Sequence, residues 1–296
     1  MNAKAKKRSK LQKIKRKLKK QVKKEQISLG IVRKPYPSDM CKRAWQRLQP
    51  HIPAAKSGGR PRSVCTKEIV NAILYVLATG CQWRALPHDF PAWSTVYDYF
   101  RKWSKAGVWQ SINATLVNKH RQQINRQACP SAAIIDSQSV KKSSCSGEEH
   151  GYDGGKKIKG RKRFILTDTQ GLLLAVLVCS AAKSEKEGAM LLLEKIKKTI
   201  VLNALCARIK HVWADAGYRG EDLLNFAQKL LSWVWQVVTR KPDQQGFEVL
   251  PRRWVVERTF GWFNHKRRLS KDYERTCQHA ESILYASMIS ILIKRH

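Results

Sequence analysis

Downstream of residue 65 the chain alternates between two hydrophobic periods. Ile69, Ile73, Leu74 and Leu77 recur every three or four residues, which predicts a helix from Thr66 to Thr79, capped by Thr66 and ended by Gly80. Ser94 or Thr95 can cap a second helix running to Lys105, with Val96, Tyr99, Phe100 and Trp103 on its buried side. A shorter helical piece falls around Asp39 to Leu48, among the breakers Pro35, Pro37, Pro50, Pro53, Gly58, Gly59 and Pro61. From Pro130 the period changes. The apolar run Ala132 to Ile135 ends at Asp136, and the strand-like run Arg208 to Ala214 ends at Asp215. Arg163 to Asp168 and Leu172 to Ser180 form a hairpin about Thr169-Gln170-Gly171. The Gly- and Lys-rich stretch Ser143 to Gly160 reads as a loop. Ser184 caps a helix through Lys198; Glu221 to Leu231 is another helix, Trp233 to Thr239 a strand, and a long helical tract follows Pro251. The order β, hairpin, α, β, α, β, α describes a mixed α/β unit.

Composition narrows the class. A 43% hydrophobic content and ten tryptophans exclude a wholly disordered chain. With 58 Lys+Arg against 22 Asp+Glu the formal charge is +36, a field that attracts polyanions, nucleic acid above all. Residues 1–34 hold fifteen of those cations and one acid, Glu25, so much of the excess lies elsewhere and the folded part is itself basic. In that arm Leu11, Ile14 and Leu18 have helical spacing, but like charges oppose a helix until an anion neutralises them. The eight cysteines are scattered without a Cys-x-x-Cys pair, which argues against a zinc site or disulfide framework and for reduced thiols. No apolar run reaches the ~18 residues of a membrane span, and the N-terminus has no apolar signal core. A cytoplasmic protein is expected.

Two aspartates at strand ends then stand out, because ligands of α/β sheets gather where side chains leave the core. A lone Asp after a strand is usually a turn former or a cap. Asp136 and Asp215 together, in a chain this basic, point to a bound cation. In the last helical tract Val256, Phe260 and Phe263 recur at i, i+4 and i+7, with Glu257 one position round beside Arg253, Gly261 and Asn264. Glu257 thus lies at the border of core and solvent, and a surface ion pair with Arg253 is the alternative reading. Three carboxylates can hold two divalent ions roughly 3.5–4 Å apart, one making a hydroxyl nucleophile and the other stabilising the leaving oxygen. That chemistry serves phosphodiester hydrolysis and transesterification. Lys156, Lys157, Lys159, Arg161, Lys162 and Arg163 form a candidate phosphate-gripping strip near the first aspartate, or else a solvated charge run. Arg84, Arg101, Lys102 and Lys105 accompany the two N-terminal helices in a helix-turn-helix-like arrangement. Asp153 reads as a turn former, Asp168 as a hairpin end, His211 and His265 as structural, and Trp213, Trp233 and Trp235 as strand residues of the core.

Ile134-Ile135-Asp136-Ser137-Gln138-Ser139, Trp213-Ala214-Asp215-Ala216-Gly217-Tyr218 and Arg252 to Phe263 resemble the three catalytic motifs of bacterial insertion-sequence DDE transposases, most closely the fifth insertion-sequence family. Pro35 to Ser38, Gly58 to Arg62, Thr79 to Arg84 and Lys156 to Arg163 join the resemblance, which spans residue 35 to the end. It implies a ribonuclease-H-like mixed-sheet catalytic domain over 129–296, preceded by a small helical DNA-binding domain over 35–128 and the basic arm 1–34. It also implies that Asp136, Asp215 and Glu257 bind Mg²⁺, as two ions for which Mn²⁺ can substitute. The partners implied are the terminal inverted repeats and target DNA, engaged by a homodimer at the bacterial nucleoid. Related transposases carry Tyr, Arg, Glu and Lys around the glutamate. Arg253 and Glu257 fit, whereas Leu250 and Asn264 occupy the Tyr and Lys slots, leaving Lys266 or Lys271 as substitutes. A nuclease without strand transfer and a non-catalytic DNA-binding protein are the alternatives.

Overall fold

The computed structural model describes residues 33–55, 62–144, 147, 149–238 and 253–295. The basic arm therefore lies outside the described residues, apart from Arg33 and Lys34. Arg33 anchors the start of the described chain. Its guanidinium grips both Asp39 oxygens at 2.8 and 3.0 Å, reaches Glu68 at 3.0 Å, and covers the Phe90 ring at 3.8 Å.

Four helices come first: α1 (Lys42–Leu48), α2 (Thr66–Thr79), α3 (Trp93–Lys105) and α4 (Val108–Gln123). The apolar faces of α2 and α3 lie where the periodicity puts them, but neither start is capped by a side chain: Cys65 and Ala92 hold the cap positions without such a bond. Gly80 ends α2 at φ 73°, and a Cβ there would come within 3.2 Å of the Arg267 backbone. The connection 81–92, with a 3₁₀ turn at Trp83–Ala85, is longer than the three or four residues of a helix-turn-helix. Helix α4 was not anticipated, although Trp109, Ile112, Leu116 and Val117 recur at helical spacing and are buried.

The sheet contains β1 (Ala132–Lys141), β2 (Gly151–Asp153), β3 (Ile158–Asp168), β4 (Leu173–Ser180), β5 (His211–Ala214) and β6 (Val234–Val237). Its order is β2-β3-β1-β5-β6, with β4 also on β3. The hairpin β3–β4 turns at Gly171, φ 78°. β1 pairs antiparallel with β3 and parallel with β5, and β5 pairs parallel with β6. This mixed α/β sheet behind a helical segment is the expected fold class. Two local expectations fail. β1 does not stop at Asp136 but continues to Lys141, because β3 keeps pairing with it along that whole length. The Ser143 to Gly160 stretch is not all loop: it contains β2 and the start of β3.

Helices α5 (Glu185–Lys198), α6 (Ile200–Cys206) and α7 (Glu221–Leu231) follow. Ser184 caps α5 in a reciprocal capping box with Glu187. The tract after Pro251 is two helices, α8 (Arg253–Asn264) and α9 (Cys277–Leu292), separated by a connection that contains a 3₁₀ turn at Arg267–Leu269. α9 packs on α4, α3 and β4, so one hydrophobic core runs from the helical segment into the sheet. It also protects an edge: the Tyr285 hydroxyl accepts from Val176 N at 3.2 Å and Glu281 from Val178 N at 3.1 Å. No described helix is long and apolar enough to cross a membrane, and the seven described cysteines are free thiols.

Gly188 faces the buried Phe164 ring so closely that a Cβ would meet it at 2.0 Å. In an open helix Gly→Ala would stabilise by about 1 kcal/mol. Here Gly188→Ala is expected to destabilise by about 1–3 kcal/mol through overpacking, measured by denaturant unfolding.

Candidate active site

Parallel pairing of β1 with β5 places the first two acids side by side. The last register pair is Ile134 with Trp213, and Asp136 and Asp215 each lie two residues further on. They share one face of the sheet, on strands that lie about 4.8 Å apart. β5 ends at Ala214, so one flank of β1 opens at this point and the carboxylates reach solvent; both residues are half-buried. Asp136 accepts from Ser137 N at 2.7 Å, and Asp215 from Gly217 N at 2.9 Å.

Tyr218 lies beneath the pair, wholly buried. Burial, and then the negative charges of Asp136, Asp215 and Glu185, hold its phenol well above its ordinary pKa. The nearby Ser137 hydroxyl opposes that shift, though both hydroxyls are buried outside good hydrogen-bond geometry. Glu185 is a carboxylate that pattern reading missed. Its Cγ would stand 3.3 Å from a Cβ on Gly217, and Lys162 contacts its Oε1 at 3.3 Å. The only trace of it in the sequence is an acid in the first turn after Ser184.

Glu257 is exposed on α8, whose buried residues Val256, Phe260 and Phe263 pack that helix against β1 and β3. The structure therefore pairs Asp136 with Asp215 and sets Glu257 on a helix crossing the same strand. Among the described residues no three His, Cys, Asp or Glu side chains converge as a ready cage. A set of carboxylate oxygens, with orphaned hydroxyls under two of them, still suits a hard divalent cation that keeps water and phosphate in its shell.

The basic strip divides. Lys156, Lys157 and Lys159 are exposed. Arg161, Lys162 and Arg163 are not available to phosphate: they are 1–3% exposed, covered by other segments of the chain that pack over the two faces of β3. Arg161 pairs with Asp272 at 2.9 Å and donates to the carbonyls of Glu149, Glu274 and Arg275. Lys162 meets Asp153 at 3.2 Å as well as Glu185, and donates to Lys183 O. Arg163 donates to the carbonyls of Leu269 and Lys271; burial pulls its pKa down to about 10, against the pull of Asp272 and Glu274.

Arg84, Arg101 and Lys102 are exposed, the last two paired with Asp98. The Arg253 side chain and Leu250 lie outside what is described. Lys266 is half-buried, its pKa lowered by burial and by Lys294. Asp168 is a buried hairpin residue: it pairs with Arg121 and accepts from Gln170 N and Leu172 N. His211 and His265 are exposed, while Trp213, Trp233 and Trp235 are buried.

Residues 40–113 match a family described as "Putative transposase of IS4/5 family", and residues 127–293 match the "Transposase DDE domain". Two Burkholderia cepacia proteins are similar. The "Putative transposase for insertion sequence element IS402" is 30% identical over 117 residues, 39% of this chain and 54% of that protein. The "Insertion element IS402 uncharacterized 16.2 kDa protein" is 33% identical over 104 residues, 33% of this chain and 69% of that protein. Among solved structures, a pre-cleavage Mos1 transpososome aligns at 8% identity and TM-score 0.28, over 85% of this chain and 83% of that one. A Mos1 mariner paired end complex with Mn aligns at 12% and 0.28, over 86% and 84%.

Two outcomes follow for the buried charges. Arg161→Ala strands Asp272, which is 1% exposed, and is expected to cost about 3–5 kcal/mol in denaturant unfolding. For Asp153, burial disfavours the charged form. Hydrogen bonds from Ser139, Lys156 N and Lys162 outweigh it and hold the pKa at about 2. The folded pKa is depressed, so the contribution of Asp153 is complete above the ordinary carboxylate range and fades as pH falls toward 2. Asp153→Asn should therefore be less stable than the parent at neutral pH, with the gap closing below about pH 4 in a pH series of thermal melts.

Proposed function

The chain belongs to the Transposase DDE domain family, whose model matches residues 127–293, and from that premise we propose how this DNA transposase cuts and joins strands. Asp136 and Asp215 hold divalent metal, and Glu257 completes the set from α8. The observation that supports this reading best is the in-phase position of the two aspartates just past the Ile134–Trp213 pair, with a buried phenol below both. When bound, two Mg²⁺ ions, or Mn²⁺ in their place, would supply activation of an attacking hydroxyl and stabilisation of the leaving oxygen.

The chain's own residues do the rest. Tyr218 keeps its proton at neutral pH, so it adds no negative charge beneath the two acids. Lys156, Lys157 and Lys159 project from the β2–β3 hairpin and bind DNA phosphates. Arg253 and Lys266, at either end of the α8 segment that carries Glu257, grip the transferred end. Arg84, Arg101 and Lys102 give the helical domain, residues 35–128, its contacts with the terminal inverted repeats. The domain over 129–296 directs the freed 3′-OH ends at target DNA. Residues 1–34 add phosphate-binding charge. Two copies act across paired ends, at the nucleoid.

The test uses terminal-repeat DNA with Mg²⁺ or Mn²⁺. Asp136→Asn, Asp215→Asn and Glu257→Gln should each lower cleavage by at least about a hundredfold while DNA binding persists. Parent-like cleavage by any one of them removes that residue from the set. Cleavage by the parent without joined products would leave a nuclease.

A further inference from the structure

A cleft of about 880 Å³ opens between the helical segment and the α8–α9 connection, away from the paired aspartates. Trp83, Trp93 and Tyr97 line it on the helical side, and Tyr273 comes from the connection. Arg268 forms its floor. That guanidinium lies 5.8 Å from the Trp83 ring centre and 5.2 Å from that of Tyr273, pinned by Glu274 at 2.7 Å and by the Cys81 carbonyl at 3.0 Å. Arg84 and Arg101 line the cleft and are exposed, Arg84 lying 5.4 Å from the Trp93 ring centre. The two acids of the lining are already engaged, Asp98 by Arg101 and Lys102 and Glu274 by Arg268.

Ring faces, with Arg84, Arg101, Arg268 and Arg275 outnumbering the acids Asp98 and Glu274 in the lining, describe a surface that holds an unstacked nucleotide. A duplex does not use it, because its base faces are already stacked on one another. The volume is that of a small-ligand site, and too small for a helix of DNA. We propose that this cleft binds an unpaired nucleotide of the DNA, with its base stacked on Trp93 and Tyr273 and its phosphate on Arg84 and Arg101. The proposal rests on the transposase reading and deepens it.

The experiment measures the full chain binding two probes by fluorescence anisotropy without metal: a blunt duplex, and the same duplex with a short unpaired bulge containing 2-aminopurine. The parent should bind the bulged probe about tenfold more tightly and quench the 2-aminopurine. Trp93→Ala with Tyr273→Ala should lose both the preference and the quenching, yet bind the blunt duplex like the parent. Trp93→Phe should restore part of the preference, which a purely structural role would not predict. Equal binding of both probes by the parent overturns the cleft assignment and leaves the transposase reading intact. An equal loss on both probes in the double variant also overturns it. Failure to bind either probe sinks both.

Discussion

Arg161, Lys162 and Arg163 follow one another on β3 and alternate between the two faces of the sheet, both of which are covered here, so three consecutive cations are accommodated in the interior. Removing such charges from water costs several kcal/mol each unless partners replace the lost hydration. Asp153 and the Glu149 carbonyl are near in sequence, but the other partners come from farther along the chain: Asp272 and the carbonyls of Leu269, Lys271, Glu274 and Arg275 on the α8–α9 connection, and Glu185 at the start of α5. The strand therefore dictates where those two segments lie. The connection forms the floor of the aromatic cleft, and the start of α5 carries Glu185 to the edge of the aspartate pair. Both sites depend on the same buried charges.

The pairing of the aspartates rests on register. A slip of one residue between β1 and β5 would send one carboxylate to the other face of the sheet, since strand side chains alternate. That register is held by the apolar cores of both strands, with Ala133, Ile134 and Ile135 on one and Val212, Trp213 and Ala214 on the other. The brevity of β5 matters equally. A longer β5 would cover Asp136 with a neighbouring backbone instead of opening it to solvent.

The two halves of the chain share a core through α9, which packs on helices α3 and α4 and caps the open edge of β4. Rigid attachment of the helical segment to the sheet has a consequence for DNA. In the proposed reading, DNA contacts of Arg84 and Arg101 would be fixed in distance from the aspartates, so that an end held at one point is presented at the other in a set geometry. Preorganised positioning of that kind is a large part of what phosphoryl-transfer enzymes supply.

Much was legible in order. Periodicity located α2, α3, α5 and α7 and most strand cores, because amphipathic periods and caps are local. It missed α4 and split nothing after Pro251, where buried helices lack a clean polar face to mark their ends; α9 is buried along nearly its whole length. Asp136 and Asp215 were visible as acids ending apolar runs, while Glu257 was selected by family resemblance. Only the end of the lysine–arginine strip departs from expectation: six cations within eight residues look solvated until the α8–α9 connection and the start of α5 are seen to cover Arg161, Lys162 and Arg163. Local pattern thus settled element types, charge and two of the candidate acids. Which cations face DNA, which serve the core, and that Tyr218 and Glu185 stand beside the aspartates were decided by long-range strand pairing, which brings together residues that no local period connects.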